Sequence, residues 1–96
     1  MPITLTPRQR ARLKAKAHAL EPVVQIGQAG AAETVMMEVE RSLTAHGLIK
    51  VRLAGDRAER ETLTRALSEG TGAAVVQQVG RVVVLWRPRP DEEEAP

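Results

Sequence analysis

Apolar residues recur with helical spacing in three segments of this 96-residue chain and with strand spacing in four others. A helix is predicted over residues 7–19, because Thr6 can cap its free N–H groups and Pro7 suits the first helical position. Its apolar positions follow the i, i+4, i+7 spacing of a face that packs inward: Leu13, Ala17 and Leu20.

The remaining elements follow from similar patterns. Helices are predicted over residues 31–46 and 57–69, and Gly70-Thr71-Gly72 is expected to break the helix over 57–69. Strands are predicted over residues 23–26, 48–54, 73–79 and 82–87, the last two forming an antiparallel hairpin. The order αβαβαββ predicts an α/β (α+β) two-layer sandwich with a four-stranded mixed sheet.

The second strand presents different side chains on its two faces. Ile49, Val51 and Leu53 alternate with Lys50 and Arg52. Because successive side chains of a strand point to opposite faces, one face of this strand is predicted to be buried and the other to be basic.

Composition restricts the class of protein. With no cysteine, and with His18 and His46 far apart in sequence, no disulfide, metal site or cofactor is predicted. The absence of a run of about 18 apolar residues and of a basic-then-apolar leader predicts a cytoplasmic protein without a membrane partner. The length suits one domain, predicted over residues 1–90 and followed by an acidic, disordered tail at 91–96.

Charge and aromatic content narrow the possible partners. The chain has 14 basic and 12 acidic residues, but four of the acids lie in residues 91–94, so residues 1–90 carry 14 basic and 8 acidic groups. A domain with this excess of positive charge attracts nucleic acid or an anionic membrane. Trp86, which is expected in the core, is the only aromatic residue, so the chain is not a module that stacks bases on several rings. The backbone and shape of RNA are therefore the expected targets.

Residues 23–30 carry a candidate phosphate-contacting motif, in which an apolar strand runs into Gly27-Gln28-Ala29-Gly30 and then into a predicted helix. The two glycines allow a sharp turn, a positive φ and close approach of a sugar-phosphate backbone, and a helix start offers free N–H donors. Gln25 and Ala31 do not fit dinucleotide-binding and P-loop fingerprints. The mechanism of phosphate contact that remains is that of KH-type loops, which clamp a nucleic-acid backbone. The alternative is that the motif is an ordinary tight turn without a ligand.

Cations lie on both sides of this motif in sequence. The first predicted helix carries five basic residues and no acid, which favours a polyanionic partner, although a solvated surface is the alternative. These candidates are Arg8, Arg10, Arg12, Lys14 and Lys16. His18 either contacts RNA or caps the last helical carbonyls, and Lys50, Arg52 and Arg81 are additional candidate RNA contacts.

No catalytic constellation is evident in the sequence. The chain has no Cys or Tyr, and Ser42 and Ser68 lie in predicted helices without a neighbouring base. Glutamates two positions apart on a helix, such as Glu38 and Glu40, point in different directions. The protein is therefore predicted not to be an enzyme and to take no small-molecule substrate.

Four segments in order form a distinctive pattern. They cover residues 5–10, 17–30, 48–52 and 77–88 and read LTPRQR, AHALEPVVQIGQAG, LIKVR and QQVGRVVVLWRP. Together they resemble the YhbY-like family of stand-alone CRM domains, the chloroplast RNA splicing and ribosome maturation module, over about residues 4–89. The resemblance implies a fold like that of the C-terminal domain of translation initiation factor 3, with RNA bound through the basic helix and the Gly-x-x-Gly loop.

The same resemblance implies a biological role. Bacterial single-domain members are associated with precursors of the large ribosomal subunit, so we expect binding to precursor rRNA in a pre-ribosomal particle, assistance in ribosome maturation, and a monomer. The alternatives are an intron-splicing type RNA-binding factor and a protein-interaction adaptor on the ribosome. Family loops often carry a charged or polar residue where Gln28-Ala29 is uncharged, so attraction is expected from flanking cations.

Overall fold

The structure is a computed structural model that describes residues 3–27 and 33–89. Its elements are the helices α1 (Pro7–Ala17), α2 (Glu33–His46) and α3 (Arg57–Thr71) and the strands β1 (Pro22–Ile26), β2 (Leu48–Leu53), β3 (Ala74–Val79) and β4 (Val82–Trp86). The predicted order αβαβαββ and the α+β class are confirmed. The predicted helix start at Ala31 and the predicted tail lie outside the described residues. None of the helices in this part of the chain is long and apolar enough to span a membrane.

The four strands form one mixed sheet in the order β1-β2-β4-β3. β1 and β2 are parallel, whereas β4 pairs in antiparallel fashion with β2 on one side and with β3 on the other. The β3–β4 hairpin turns at Gly80 and Arg81. Gly80 has a φ of 57° and Arg81 does not have a positive φ, which is the pattern of a type II′ turn. The mixed sheet and the hairpin are as predicted, and the last strand in sequence lies in the interior of the sheet.

Helices cover both faces of this sheet, so the molecule has three layers and the predicted number of two is wrong. Val83 and Leu85 of β4 pack in the core cluster of α2 and α3, while Val84 and Trp86 pack in the cluster of α1. The physical reason lies in β4, which is apolar at every position, as is typical of a strand buried on both faces. Trp86 is 3% exposed, and its predicted core position is confirmed.

Helix α1 begins as predicted but ends earlier. Thr6 Oγ1 accepts a hydrogen bond from the backbone N–H of Gln9 (3.1 Å), and Gln9 Oε1 accepts one from the N–H of Thr6 (2.9 Å), which forms a capping box. Leu13 and Ala17 are buried as predicted, but Leu20 is 37% exposed. Because the helix ends at Ala17, the helical spacing that would turn Leu20 inward is lost.

Helix α3 extends two residues beyond its predicted end. The sequence pattern predicts that Gly70-Thr71-Gly72 breaks the helix after residue 69, but Gly70 and Thr71 are still helical. The terminal methyl group of Met36 occupies the space that a side chain at Gly70 would need. The helix ends instead at Gly72, which adopts a left-handed φ of 75°. Gly70 therefore serves the packing of α2 against α3.

A half-buried arginine joins the end of β4 to the two helices on one face. Arg87 donates hydrogen bonds to Glu40 Oε1 (2.9 Å), to the carbonyl of Thr71 (2.7 Å) and to Thr44 Oγ1 (3.1 Å). Glu40 and Thr44 belong to α2, and Thr71 ends α3. This one side chain thus fixes the C-terminal ends of both helices relative to the sheet.

Candidate nucleic-acid interface

One face of the sheet carries both helix α1 and the basic side of strand β2. Ile49, Val51 and Leu53 are buried in the cluster of α2 and α3, as predicted. Lys50 and Arg52 alternate with them and therefore point to the α1 side. The fold thus places the cations of the first helix and those of the second strand on the same side of the molecule.

The two helical layers differ in charge. Helix α1 contains five basic residues and no acid, whereas α2 and α3 together contain six carboxylates and four arginines. Charges of one sign reinforce one another over a surface, while mixed charges largely cancel. The α1 side of the sheet is therefore the side that attracts a polyanion.

The five cations of α1 do not share one face of the helix. They occupy alternate positions, and each step of two residues turns about 200° around the helix axis. Arg8 and Arg12 are exposed on the side away from the sheet. Lys14 lines a groove along one flank of the helix, and Lys16 lies on the other flank near Leu48. Arg8 and Arg12 thus project away from the sheet, while Lys14 and Lys16 lie on the two flanks of the helix.

Arg10 makes a structural contact. Its guanidinium donates hydrogen bonds to the backbone carbonyls of Val75 (2.5 Å) and Val76 (2.8 Å). Strand β3 shifts register between Val75 and Gln77, and a bulge of this kind leaves backbone groups without partners in the ladder. Arg10 therefore satisfies backbone carbonyls at an irregular point of β3 and holds α1 against the sheet.

Gly27, the first residue of the glycine motif, and the hairpin turn lie at the same end of the sheet. The N–H of Leu53 donates to the carbonyl of Arg81 (2.7 Å), and the N–H of Ala54 donates to the carbonyl of Ile26 (3.0 Å). Gly27 follows Ile26 directly. The ends of β1 and β2 and the turn that contains the exposed Arg81 are consequently neighbours.

Gly27 leaves open space at the start of the motif. Among residues 3–27 and 33–89, no atom beyond the chain neighbour of Gly27 lies within 4 Å of the position that a Cβ would take, and Gly27 does not adopt a positive φ. Gly27 therefore does not use the positive φ that a glycine allows, and its missing side chain leaves room among the described residues. Gln28, Ala29 and Gly30 lie outside the described residues.

A groove of about 350 Å³ lies between α1 and the sheet. Aliphatic side chains form much of its lining: Ala17, Pro22, Val79, Val82 and Val84. Its polar lining residues are Lys14, His18, Lys50 and Gln77. Three further surface grooves each contain Glu21 or Glu61, whereas no carboxylate among residues 3–27 and 33–89 lines this one. The groove thus combines an apolar surface with positive charge.

The polar side chains of this groove are available to a ligand. Within the part of the chain that the structure describes, the side chains of Lys14, His18, Lys50 and Gln77 form no hydrogen bond or ion pair. Val79 is 60% exposed, which is unusual for a valine on a strand. Sequence reasoning did not find Gln77, Val79 or Val82, because only the packing of α1 shows which part of the sheet stays uncovered.

The fold brings together some of the predicted site residues and separates others. Lys14, His18 and Lys50 share the groove, and Arg52 pairs with Gln25 and Val82 beside it. Among residues 3–27 and 33–89, no three His, Asp or Glu side chains are grouped as a metal site requires. The geometry supports a surface for an anionic ligand with an apolar part.

Comparison with known proteins adds an independent finding. The chain matches a family model described as CRS1 / YhbY (CRM) domain over residues 5–87. An RNA-binding protein from Haemophilus influenzae is 44% identical over 86 residues, which cover 88% of this chain and 87% of that protein. A Bacillus subtilis protein, named a probable RNA-binding protein, is 32% identical over 84 residues, covering 86% of this chain and 88% of that one. The solution structure of a hypothetical protein from Staphylococcus aureus has a TM-score of 0.82 and 30% identity, covering 97% of this chain and 100% of that one.

Proposed function

Because the chain belongs to the CRS1 / YhbY (CRM) domain family, we propose that it binds RNA and assists maturation of the large ribosomal subunit. The observation that carries the proposal is the charge of one side of the sheet, where α1 has five cations and no acid and lies on the same face as Lys50 and Arg52. The names of the relatives in Haemophilus influenzae and Bacillus subtilis also support RNA as the ligand.

The proposed contacts are mainly with phosphates. Arg8 and Arg12 are exposed on α1 and have no ion-pair partner in the described chain, so they are free to neutralise a phosphate backbone. Neutralised phosphates release counterions, which makes affinity depend on salt. If about four phosphates are neutralised, the logarithm of affinity falls with the logarithm of salt concentration at a slope of roughly −3 to −4.

The glycine motif has a separate role in this proposal. The open space at Gly27 allows a sugar-phosphate backbone to approach the chain closely. Gln28 and Ala29 carry no charge, so the attraction comes from neighbouring cations such as the exposed Arg81 at the same end of the sheet. The loop then shapes the contact and the cations supply most of the affinity.

We place the RNA in precursor large-subunit rRNA, within a pre-ribosomal particle in the cytoplasm, with the protein acting as a monomer and not as an enzyme. The groove supports a binding role, because its lining offers cations, an amide and aliphatic groups but no hydroxyl or thiol nucleophile. An intron-splicing type factor would use the same contacts on another RNA. An adaptor on the ribosome would not depend on the cations of α1.

Sedimentation of cell lysate through a sucrose gradient tests the proposal. The wild-type protein is expected to migrate with precursors of the large subunit, and crosslinking is expected to map it to their rRNA. The variant with Arg8→Glu, Arg12→Glu and Lys16→Glu is expected to remain at the top of the gradient. These three side chains are exposed, so the fold should tolerate the changes.

A matched variant on the other side of the sheet controls for net charge. Arg41→Glu, Arg57→Glu and Arg65→Glu change the net charge equally, at exposed positions of α2 and α3. This variant is expected to migrate as the wild type does. Continued migration of the α1 variant with the particles would indicate an adaptor contact and contradict the proposal.

A further inference from the structure

We propose that the groove between α1 and the sheet holds one unpaired nucleotide of the bound RNA. Its base inserts against the aliphatic side chains, and its phosphates contact Lys14 and Lys50. This inference rests on the proposed RNA-binding function and adds to it a site for a single-stranded element. RNA with a bulged or looped nucleotide is then preferred over a continuous duplex.

The apolar part of the groove fits the faces of a base. Val79 is 60% exposed at its margin, while Val84 is buried beneath it and Val82 is partly buried. The volume of about 350 Å³ lies within the range of ligand pockets, about 300–1,000 Å³. A base inside an A-form duplex is stacked and paired, so only a nucleotide that has left the helix can enter.

The polar part of the groove matches the charge of a nucleotide. Lys14, Lys50 and His18 line it without any carboxylate and without partners in the described chain. An occupant that satisfies both parts must carry negative charge on an apolar body, as a nucleotide does. Arg8 and Arg12 lie on the same helix as Lys14, on its side away from the sheet, so one helix carries both the proposed phosphate contacts and one wall of the groove.

Gln77 determines how selective such a site can be. Its side-chain amide both donates and accepts hydrogen bonds, so it can pair with the edge of any of the four bases. Among the described lining residues, the imidazole of His18 is the one aromatic ring on which a base could stack, and stacking tolerates any of the four bases. The site therefore favours unpaired over paired nucleotides and discriminates little among bases.

Two RNA hairpins of equal length and equal phosphate number test this site. One carries a bulged nucleotide, and the other carries an abasic residue at the same position. Fluorescence anisotropy at a single salt concentration measures the affinity of the protein for each. Because the phosphate contribution is the same, the ratio isolates the base, and we expect about fivefold tighter binding of the base-bearing hairpin.

A groove variant assigns this preference to the site. The double variant Gln77→Ala, Val79→Ser removes the amide and an exposed apolar contact, and neither residue is buried, so folding should be retained. It is expected to bind both hairpins with the affinity that the wild type has for the abasic one. Met37→Ser is the matched control, because Met37 is 55% exposed on α2, on the other side of the sheet. It is expected to keep the fivefold preference.

The outcomes separate this proposal from the function on which it rests. Equal, salt-dependent binding of both hairpins by the wild-type protein would overturn the groove site and leave the proposed RNA binding intact. A preference that persists in the Gln77→Ala, Val79→Ser variant would also overturn it, since the base would then lie elsewhere. Binding of neither hairpin at low salt would contradict the proposed function itself.

Discussion

The two sides of the sheet show how burial and binding are divided in a small domain. On the side of α2 and α3, eleven buried residues form one cluster, and on the side of α1 only seven do. A helix is about 10 Å wide, and neighbouring strands lie about 4.8 Å apart, so two helices cover four strands whereas one does not. The single helix therefore leaves part of its face of the sheet open as a groove, which Lys14 and Lys50 line and beside which Arg52 lies.

The largest expected effect comes from removing the centre of the smaller cluster. Trp86 is buried against α1, so Trp86→Ala is expected to lower the free energy of unfolding by about 3–5 kcal/mol. This approaches the total stability of a small domain, about 5–15 kcal/mol, so the variant should be largely unfolded. Urea unfolding followed by circular dichroism measures the change.

Leu67→Ala provides the comparison on the other side of the sheet, where Leu67 is fully buried. Its expected cost is about 2–5 kcal/mol. If Trp86→Ala cost less than about 1 kcal/mol, the α1 side would be a loosely attached layer and not an integral part of the core.

A smaller effect distinguishes two arginines on the same helix. Arg10→Ala removes a charged donor from two backbone carbonyls of β3 and is expected to cost about 1–3 kcal/mol of stability. Arg12→Ala, at an exposed position, should change stability by less than about 0.5 kcal/mol. It is instead expected to reduce the magnitude of the salt slope of RNA binding by about 1.

Urea unfolding and anisotropy titrations across salt concentrations measure both quantities for each variant. Equal stability of the Arg10→Ala and Arg12→Ala proteins would mean that the contact with β3 adds nothing to the fold. An unchanged salt slope in Arg12→Ala would remove Arg12 from the proposed phosphate contacts.

Substitutions at Gly27 are expected to have the smallest effect on stability while still lowering RNA affinity measurably. At Gly27 the φ is not positive and no described residue fills the space where a side chain would begin, so Gly27→Asp should change the free energy of unfolding by less than about 0.5 kcal/mol. A carboxylate beside the proposed RNA backbone should lower affinity about tenfold, as measured by anisotropy. Gly27→Asn has nearly the same size without the charge and should weaken binding less. If Gly27→Asp binds RNA as tightly as the wild type, the motif is only a turn.

Most element boundaries were predictable, because the signals that set them are local. Thr6 and Asp56 each begin a capping box with the residue three positions later, and Lys50 and Arg52 alternate with buried residues. The predicted end of α3 at residue 69 was two residues too early, since Gly70 stays helical and the methyl group beside it comes from Met36 on another helix. A contact between two helices cannot be predicted from the residues next to Gly70 in the sequence.

The candidate site was predictable only as a list of cations. Helical geometry spreads the five basic residues of α1 around its axis, and the sequence contained no sign that Arg10 contacts β3. Gln77, Val79 and Val82 are ordinary strand residues until α1 packs beside them and leaves a groove. Their role depends on which part of the sheet one helix fails to cover.

Caps, periodicity and charge are interactions between near neighbours in the chain, and they were sufficient for the seven elements, their order and the basic character of the first helix. Other features required the folded molecule: β4 lies between β2 and β3, and α1 covers the face opposite α2 and α3. The folded molecule was also required to bring Lys14 and Lys50 into one groove. Strand pairing and helix packing join residues that are distant in sequence, so these features emerge only when the layers assemble.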